Sequence, residues 1–171
     1  MISKIFIHLL IVTSFSLSCR TAAVLLSQFK YTFQSSTYGT LDSSRAVDGD
    51  LATGQHTEQA HKPTKQYWRV DLGVDCYFSY VLLYVQANYR YRFNNVEFYR
   101  SSDPQISEHY YGIKCDAVTD TIAWTTVVDT DMQMYNSTSC SGWGRYFLLL
   151  MSGQHAQAFI LLREIQVFGK G

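Results

Sequence analysis

Proline is nearly missing from this chain, with two residues in 171. Charged side chains are scarce too: Asp, Glu, Lys and Arg make up 16%, against about a quarter in an average soluble domain. That argues against a coiled coil or an array of long solvated helices. Neither sign of charge is in excess, since Lys and Arg number 14 and Asp and Glu number 14. No electrostatic footprint for nucleic acid or an anionic membrane results, so the expected partner is a neutral one or one bound through a local site. The four cysteines form no Cys-x-x-Cys and no Cys/His spacing suited to structural zinc. A Gly-x-Ser-x-Gly elbow, a His-Glu-x-x-His and a Gly-rich phosphate loop are all missing, and with them the usual signs of an activated nucleophile or a bound nucleotide. The sequence reads as a non-enzyme.

Apolar residues, by contrast, reach 47% and aromatic ones 15%, with 13 Tyr and 10 Phe. This supplies one core and excludes wholesale disorder. The N-terminus reads as a secretory signal over 1–19. Lys4 gives a positive start, Ile5 to Val12 is an apolar run, and Ser14 to Ser18 supplies small residues before a cleavage point. The run is short for a membrane span, and no second run of spanning length follows. One secreted domain over 20–171 is the expected product. Asn136-Ser137-Thr138 is an N-glycosylation sequon, in keeping with export. In an oxidising compartment Cys115 and Cys140, both beside polar loop-like stretches, are expected to pair. Cys19 leaves with the signal, and Cys76 is then an odd thiol, either buried or open to an intermolecular bridge.

Strand patterns dominate. Trp68-Arg69-Val70-Asp71-Leu72 alternates apolar and polar, which places Trp68, Val70 and Leu72 in a core and makes Arg69 and Asp71 a structural ion pair on the other face. Tyr77 to Val85, Phe93 to Tyr99, Ile122 to Val128, Arg145 to Met151 and Phe159 to Phe168 also read as strands. Turn residues fill Ser43 to Gly54, Ser101 to Gly112 and Asp129 to Gly144. The expected class is all-β, an antiparallel sandwich.

Three segments, in order, carry a resemblance. They are Ala46-Val47-Asp48-Gly49-Asp50, Tyr67 to Gly73, and Gly144-Arg145-Tyr146 followed by Leu162 to Gly169. Together they resemble the discoidin, or coagulation factor 5/8 type C, superfamily, and within it the F-type lectins, or fucolectins. The resemblance implies an eight-stranded jelly roll with ligand loops at one end. It also implies a calcium ion held by the Asp48 and Asp50 side chains, the carbonyls of Arg45, Thr53 and Arg163, and the Glu164 side chain. Calcium takes six to eight oxygens, partly from carbonyls, and an Asp-Gly-Asp loop can supply several. This chain departs from the family in a shorter loop from Asp50 to Thr53. Arg163 also stands where many members carry a disulfide cysteine, whose partner near Gln55 is missing too.

The family's sugar motif is a His, about two dozen residues, Arg-x-Asp, and a further Arg or Lys. Here 24 residues separate His61 from Gln86-Ala87-Asn88, and Arg92 follows. His56, followed by Thr57, is a second candidate for the motif His. The motif Arg has become Gln86 and the Asp has become Asn88, so two charged partners have become neutral. Arg90 is a candidate to restore the charge, and Tyr89 and Tyr91 to stack on a sugar face. By resemblance the chain is a secreted, calcium-dependent carbohydrate-binding protein of glycan recognition or innate defence. Fucosylated glycans are its expected partners, with homo-oligomers adding avidity. The alternative is a discoidin-like adhesion module that binds a protein or lipid surface without sugar.

Overall fold

The fold is described from a computed structural model, over residues 22–58, 65–108, 111–119, 121–151 and 159–170. Its elements are β1 (Val24–Leu25), β2 (Tyr31–Gln34), β3 (Gln55–His56), β4 (Gln66–Gln86), β5 (Val96–Ser101), β6 (Ile113–Ala117), β7 (Thr125–Thr126), β8 (Met132–Ser137), β9 (Gly142–Met151), β10 (Leu161–Leu162) and β11 (Glu164–Lys170). Three short 3-10 segments lie between them, at Ser43–Ala46, Ala87–Phe93 and Ile106–Glu108.

β4 organises the molecule. It runs for 21 residues, well beyond the usual five or six, and it bends. Its register on β9 shifts between Asp71 and Cys76. At the bend Gly73 takes φ 90°, a conformation open to glycine and costly for other residues, while the Gly73 N–H donates to Asp71 Oδ1 at 2.8 Å. Before the bend, β4 pairs with β2 and β9, and β9 continues to β5 and β6. After it, β4 pairs with β11 and β8, which continue to β1 and β7. Every pairing is antiparallel. One strand thus serves two sheets, and their inner faces meet in one core. Trp68, Val70, Phe98, Phe147 and Leu149 come from the first sheet, and Val81, Leu83, Val85, Ile165 and Val167 from the second; all are at most 1% exposed. This is the antiparallel all-β sandwich expected from the sequence, drawn as eleven strand segments.

β9 is apolar on both faces because both are covered. Phe147, Leu149 and Met151 face the main core, whereas Leu148 and Leu150 join Tyr99, Ile106 and Tyr146 in a second, outer cluster. Cys115 and Cys140 are disulfide-bonded across 25 residues. Cys76 is a free thiol and is buried, which removes it as a ready intermolecular bridge.

Local expectations changed in several places. Asp71 pairs with Arg145, Nε to Oδ1 at 2.7 Å and Nη2 to Oδ2 at 2.8 Å, not with Arg69. Arg69 donates to the Pro104 carbonyl and lies over the Phe33 ring at 4.6 Å. The polar stretch 129–144 contains β8 and the start of β9, and only Thr125–Thr126 of 122–128 is strand. The run 159–168 is broken at Arg163, between β10 and β11.

Candidate functional site

The ends of β3, β4 and β10 and the segment after β4 surround a pocket of about 420 Å3, within the size range of small-molecule sites. β3 and β10 form a two-stranded sheet, His56 opposite Leu161 and Gln55 opposite Leu162. Beyond it the Thr57 N–H donates to the Ile160 carbonyl at 3.0 Å, and the Ile160 N–H donates to the Thr57 hydroxyl at 2.9 Å. These bonds fix the backbone on both sides of His56. Its ring stacks on Phe159, centroids 4.4 Å apart, and leans on Tyr38 at 4.9 Å. Nδ1 is bonded to the Thr57 carbonyl. A carbonyl only accepts, so Nδ1 carries the proton and Nε2 is left as an acceptor. Burial holds the His56 pKa below its usual value; the Thr57 bond opposes this, and the Arg92 charge adds to the lowering.

Gln86 closes β4. Its Nε2 donates to Asp131 Oδ2 at 2.6 Å, and its Oε1 accepts from Arg163 Nη2 at 3.1 Å. The chain then turns through Ala87–Phe93, where fully buried Phe93 anchors the segment. Arg92 lies over the Phe159 ring at 4.2 Å and the Tyr89 ring at 5.0 Å, and its Nε donates to the Tyr91 hydroxyl at 3.0 Å. The arrangement joins a fork of donors, a histidine acceptor and aromatic faces in one place. That chemistry suits a ligand with several hydroxyls and an apolar side.

Of the sequence candidates, His56, Gln86 and Arg92 line the pocket together. His61 lies outside the described residues. Asn88 is exposed and does not line the pocket, and Arg90 donates to Gln133 Oε1 at 3.1 Å instead of facing inward. The residue that sequence reasoning undervalued is Arg163, considered there for its carbonyl alone. The break between β10 and β11 sends its guanidinium to the Ala52 and Thr53 carbonyls, at 3.0 and 3.2 Å, and on to Gln86. Gly54 permits the approach, since a Cβ there would come within 3.1 Å of Arg163 Cδ. A cation in place of a cysteine was the available signal.

The loop beside the pocket holds the remaining candidates. Asp48 Oδ1 accepts from the Asp50 N–H at 2.9 Å, and Asp48 Oδ2 accepts from the Thr53 hydroxyl at 2.7 Å. That hydroxyl also lies 3.3 Å from the Arg45 carbonyl. Asp50 Oδ1 accepts from the Ala52 N–H at 2.8 Å. Glu164 is 1% exposed, and its Oε2 has no partner among the described residues. Burial pushes its carboxyl up to about 8; the Gly49 N–H opposes this, and the charges of Asp48 and Asp50 add to it. Among the described residues no three His, Cys, Asp or Glu side chains already form a metal cage.

No protein-family model and no curated protein matches the chain. Solved structures do. A fucolectin from striped bass serum superposes with TM-score 0.71 at 18% identity, covering 88% of this chain, which spans 49% of the length of that one. A fucose binding module of Streptococcus pneumoniae gives 0.63 at 19%, covering 86% of this chain and 96% of that one. The family 32 carbohydrate-binding module of Clostridium perfringens NanJ, in complex with galactose, gives 0.57 at 18%, covering 85% and 98%. The chain therefore has the discoidin-like β-sandwich fold found in F-type lectins and related carbohydrate-binding modules.

Proposed function

We propose that this chain is a secreted, non-catalytic glycan-binding protein of the lectin kind, acting in glycan recognition or innate defence, with its site in the pocket between β3, β4 and β10. The observation that carries this reading is the meeting of His56 with Gln86 and Arg92, thirty or more residues further along the chain, beside Phe159 and Tyr89. The shared fold supports it: the superposed proteins are a fucolectin, a fucose binding module and a galactose-bound module. Fucose is the first neutral sugar to test, because a histidine and one arginine of the fucose motif are present. Glycosylation at exposed Asn136 belongs to the same proposal.

A calcium ion next to the site is part of this reading. The orphaned, buried Glu164 Oε2 facing a loop with two carboxylates fits a divalent cation. Glu164, Asp48 and Asp50 would hold it with the carbonyls of Arg45, Thr53 and Arg163. Bound calcium supplies positive charge that neutralises these carboxylates and orders the loop. Single-site sugar affinity is typically modest, so homo-oligomers that add avidity complete the proposal.

A glycan array probed with the secreted chain, with and without calcium, is the test. The expected result is a defined set of bound glycans and their loss in Arg92→Ala. An array without signal in calcium-containing buffer rejects the reading.

A further inference from the structure

Gln86 ends β4 with β8 on one side and the break between β10 and β11 on the other. In the register of β4 on β8 it faces Met132, so Asp131 lies just beyond it, and the Ala87 N–H fixes Asp131 by donating to its carbonyl at 2.8 Å. On the opposite side β11 begins at Glu164, which faces Tyr84, and the Arg163 N–H donates to the Tyr84 carbonyl at 2.9 Å. The Gln86 amide is thereby placed between one acidic and one basic side chain, neither of them its neighbour in sequence.

Those two contacts fix how the amide points. Asp131 Oδ2 only accepts, and it takes a Gln86 Nε2 proton at 2.6 Å; Arg163 Nη2 only donates, and it gives to Gln86 Oε1 at 3.1 Å. Exchanging the amide nitrogen and oxygen would set donor against donor and acceptor against acceptor. Each bond has a charged partner, and each polarises the amide in the sense that strengthens the other. The basic end is itself anchored, since Arg163 Nη1 donates to the Ala52 and Thr53 carbonyls at 3.0 and 3.2 Å.

The bridge leaves Gln86 with one N–H and one lone pair unused. Gln86 lines the pocket and Asp131 does not, so Asp131 reaches a ligand only through the amide. A glutamine held from neither side loses rotamer freedom when a ligand binds, which weakens affinity; here the side chain is ordered beforehand. Resting on the reading of this pocket as the glycan site, we infer that Asp131 and Arg163 are positioning residues that preset the Gln86 amide for a sugar hydroxyl, its remaining N–H donating and its remaining lone pair accepting.

The test is NMR titration of the full chain with methyl α-L-fucoside and methyl β-D-galactoside. Asp131→Ala should weaken the better-bound sugar about fivefold. Asp131 is exposed, so its removal leaves the core intact. Arg163→Met should weaken binding by a similar factor, and Arg163→Lys should recover part of it. Because both residues act through one amide, the double variant should lose about as much as the weaker-binding single variant, not the product of the two losses. Without sugar, the order parameter of the Gln86 side-chain amide should drop in Asp131→Ala, which a packing defect elsewhere does not produce. A thermal melt confirms that each variant is folded. Unchanged affinity in Asp131→Ala, or losses that multiply in the double variant, would overturn this inference and leave glycan binding in place. Neither sugar bound by the native chain would overturn it too, and an equally silent glycan array would take the glycan reading with it.

Discussion

Asp71 holds the bend of β4 through three bonds, two from the Arg145 guanidinium and one from the Gly73 N–H. The Arg145 bond, with the Gly73 N–H aiding, keeps its carboxyl below the usual value against the opposing effect of burial. A carboxyl depressed in the fold stabilises above its unfolded value, and that stability is lost as pH falls through the folded value. Asp71→Asn should therefore cost about 1 kcal/mol at neutral pH, the Arg145 side being partly open to solvent. The gap to the native chain should close below about pH 4 in urea melts. His56 obeys the same linkage. Its pKa is lowered in the fold, so below about pH 6.5 the unfolded chain takes the proton first and stability falls. His56→Gln should flatten the melting temperature between about pH 5 and 7. At this scale the sequence identifies residue types but not partners. Alternation places Arg69 and Asp71 on one face, yet Asp71 finds Arg145 on the neighbouring strand, because cross-strand register sets which guanidinium is close.

The two halves of β4, and β11 against the second half, position the pocket and its neighbouring loop. At the end of β11 the register slips between Phe168 and Gly169, and a Cβ at Gly169 would lie 2.1 Å from the Tyr77 carbonyl. Backbone, not a flexible side chain, stands in the way. Gly169→Ala should thus destabilise by about 1–3 kcal/mol, measured as a lower denaturation midpoint with an unchanged urea slope. The central strands were legible because Trp68 to Leu72 alternates apolar and polar and Tyr146 to Met151 is a continuous apolar run. The outlying strands β1, β2, β6 and β8 were not. Their sequences, such as Met-Gln-Met-Tyr-Asn-Ser in β8, carry little apolar alternation, and they form because a neighbouring strand offers its unpaired backbone. The break at Arg163 was equally hidden, since the residues around it read as one continuous strand.

Across the whole molecule, the disulfide ties β6 to the turn between β8 and β9, and the loop proposed to hold calcium lies beside the pocket. Replacing Cys115 and Cys140 with Ala opens a link across 25 residues and should cost roughly 3 kcal/mol through the entropy of the unfolded chain, read as a lower melting temperature. Millimolar calcium should raise the melting temperature, because an ion bound only by the folded state must stabilise it. Glu164→Gln should abolish that rise, and an equal rise in the variant would place the ion elsewhere. By itself the sequence determined the fold class, the core of the central strands and the pairing of Cys115 with Cys140, because burial pattern and redox chemistry are written in residue type and spacing. It also supplied His56, Gln86 and Arg92 as candidates. Only the tertiary structure decided that these three share one pocket, that Arg90 turns away to Gln133, and that Arg163 enters from the break after β10. The physical reason is distance along the chain: His56 and Arg163 are more than a hundred residues apart. Only the pairing of β3 with β10 turns an evenly balanced sequence into a pocket lined by three arginines.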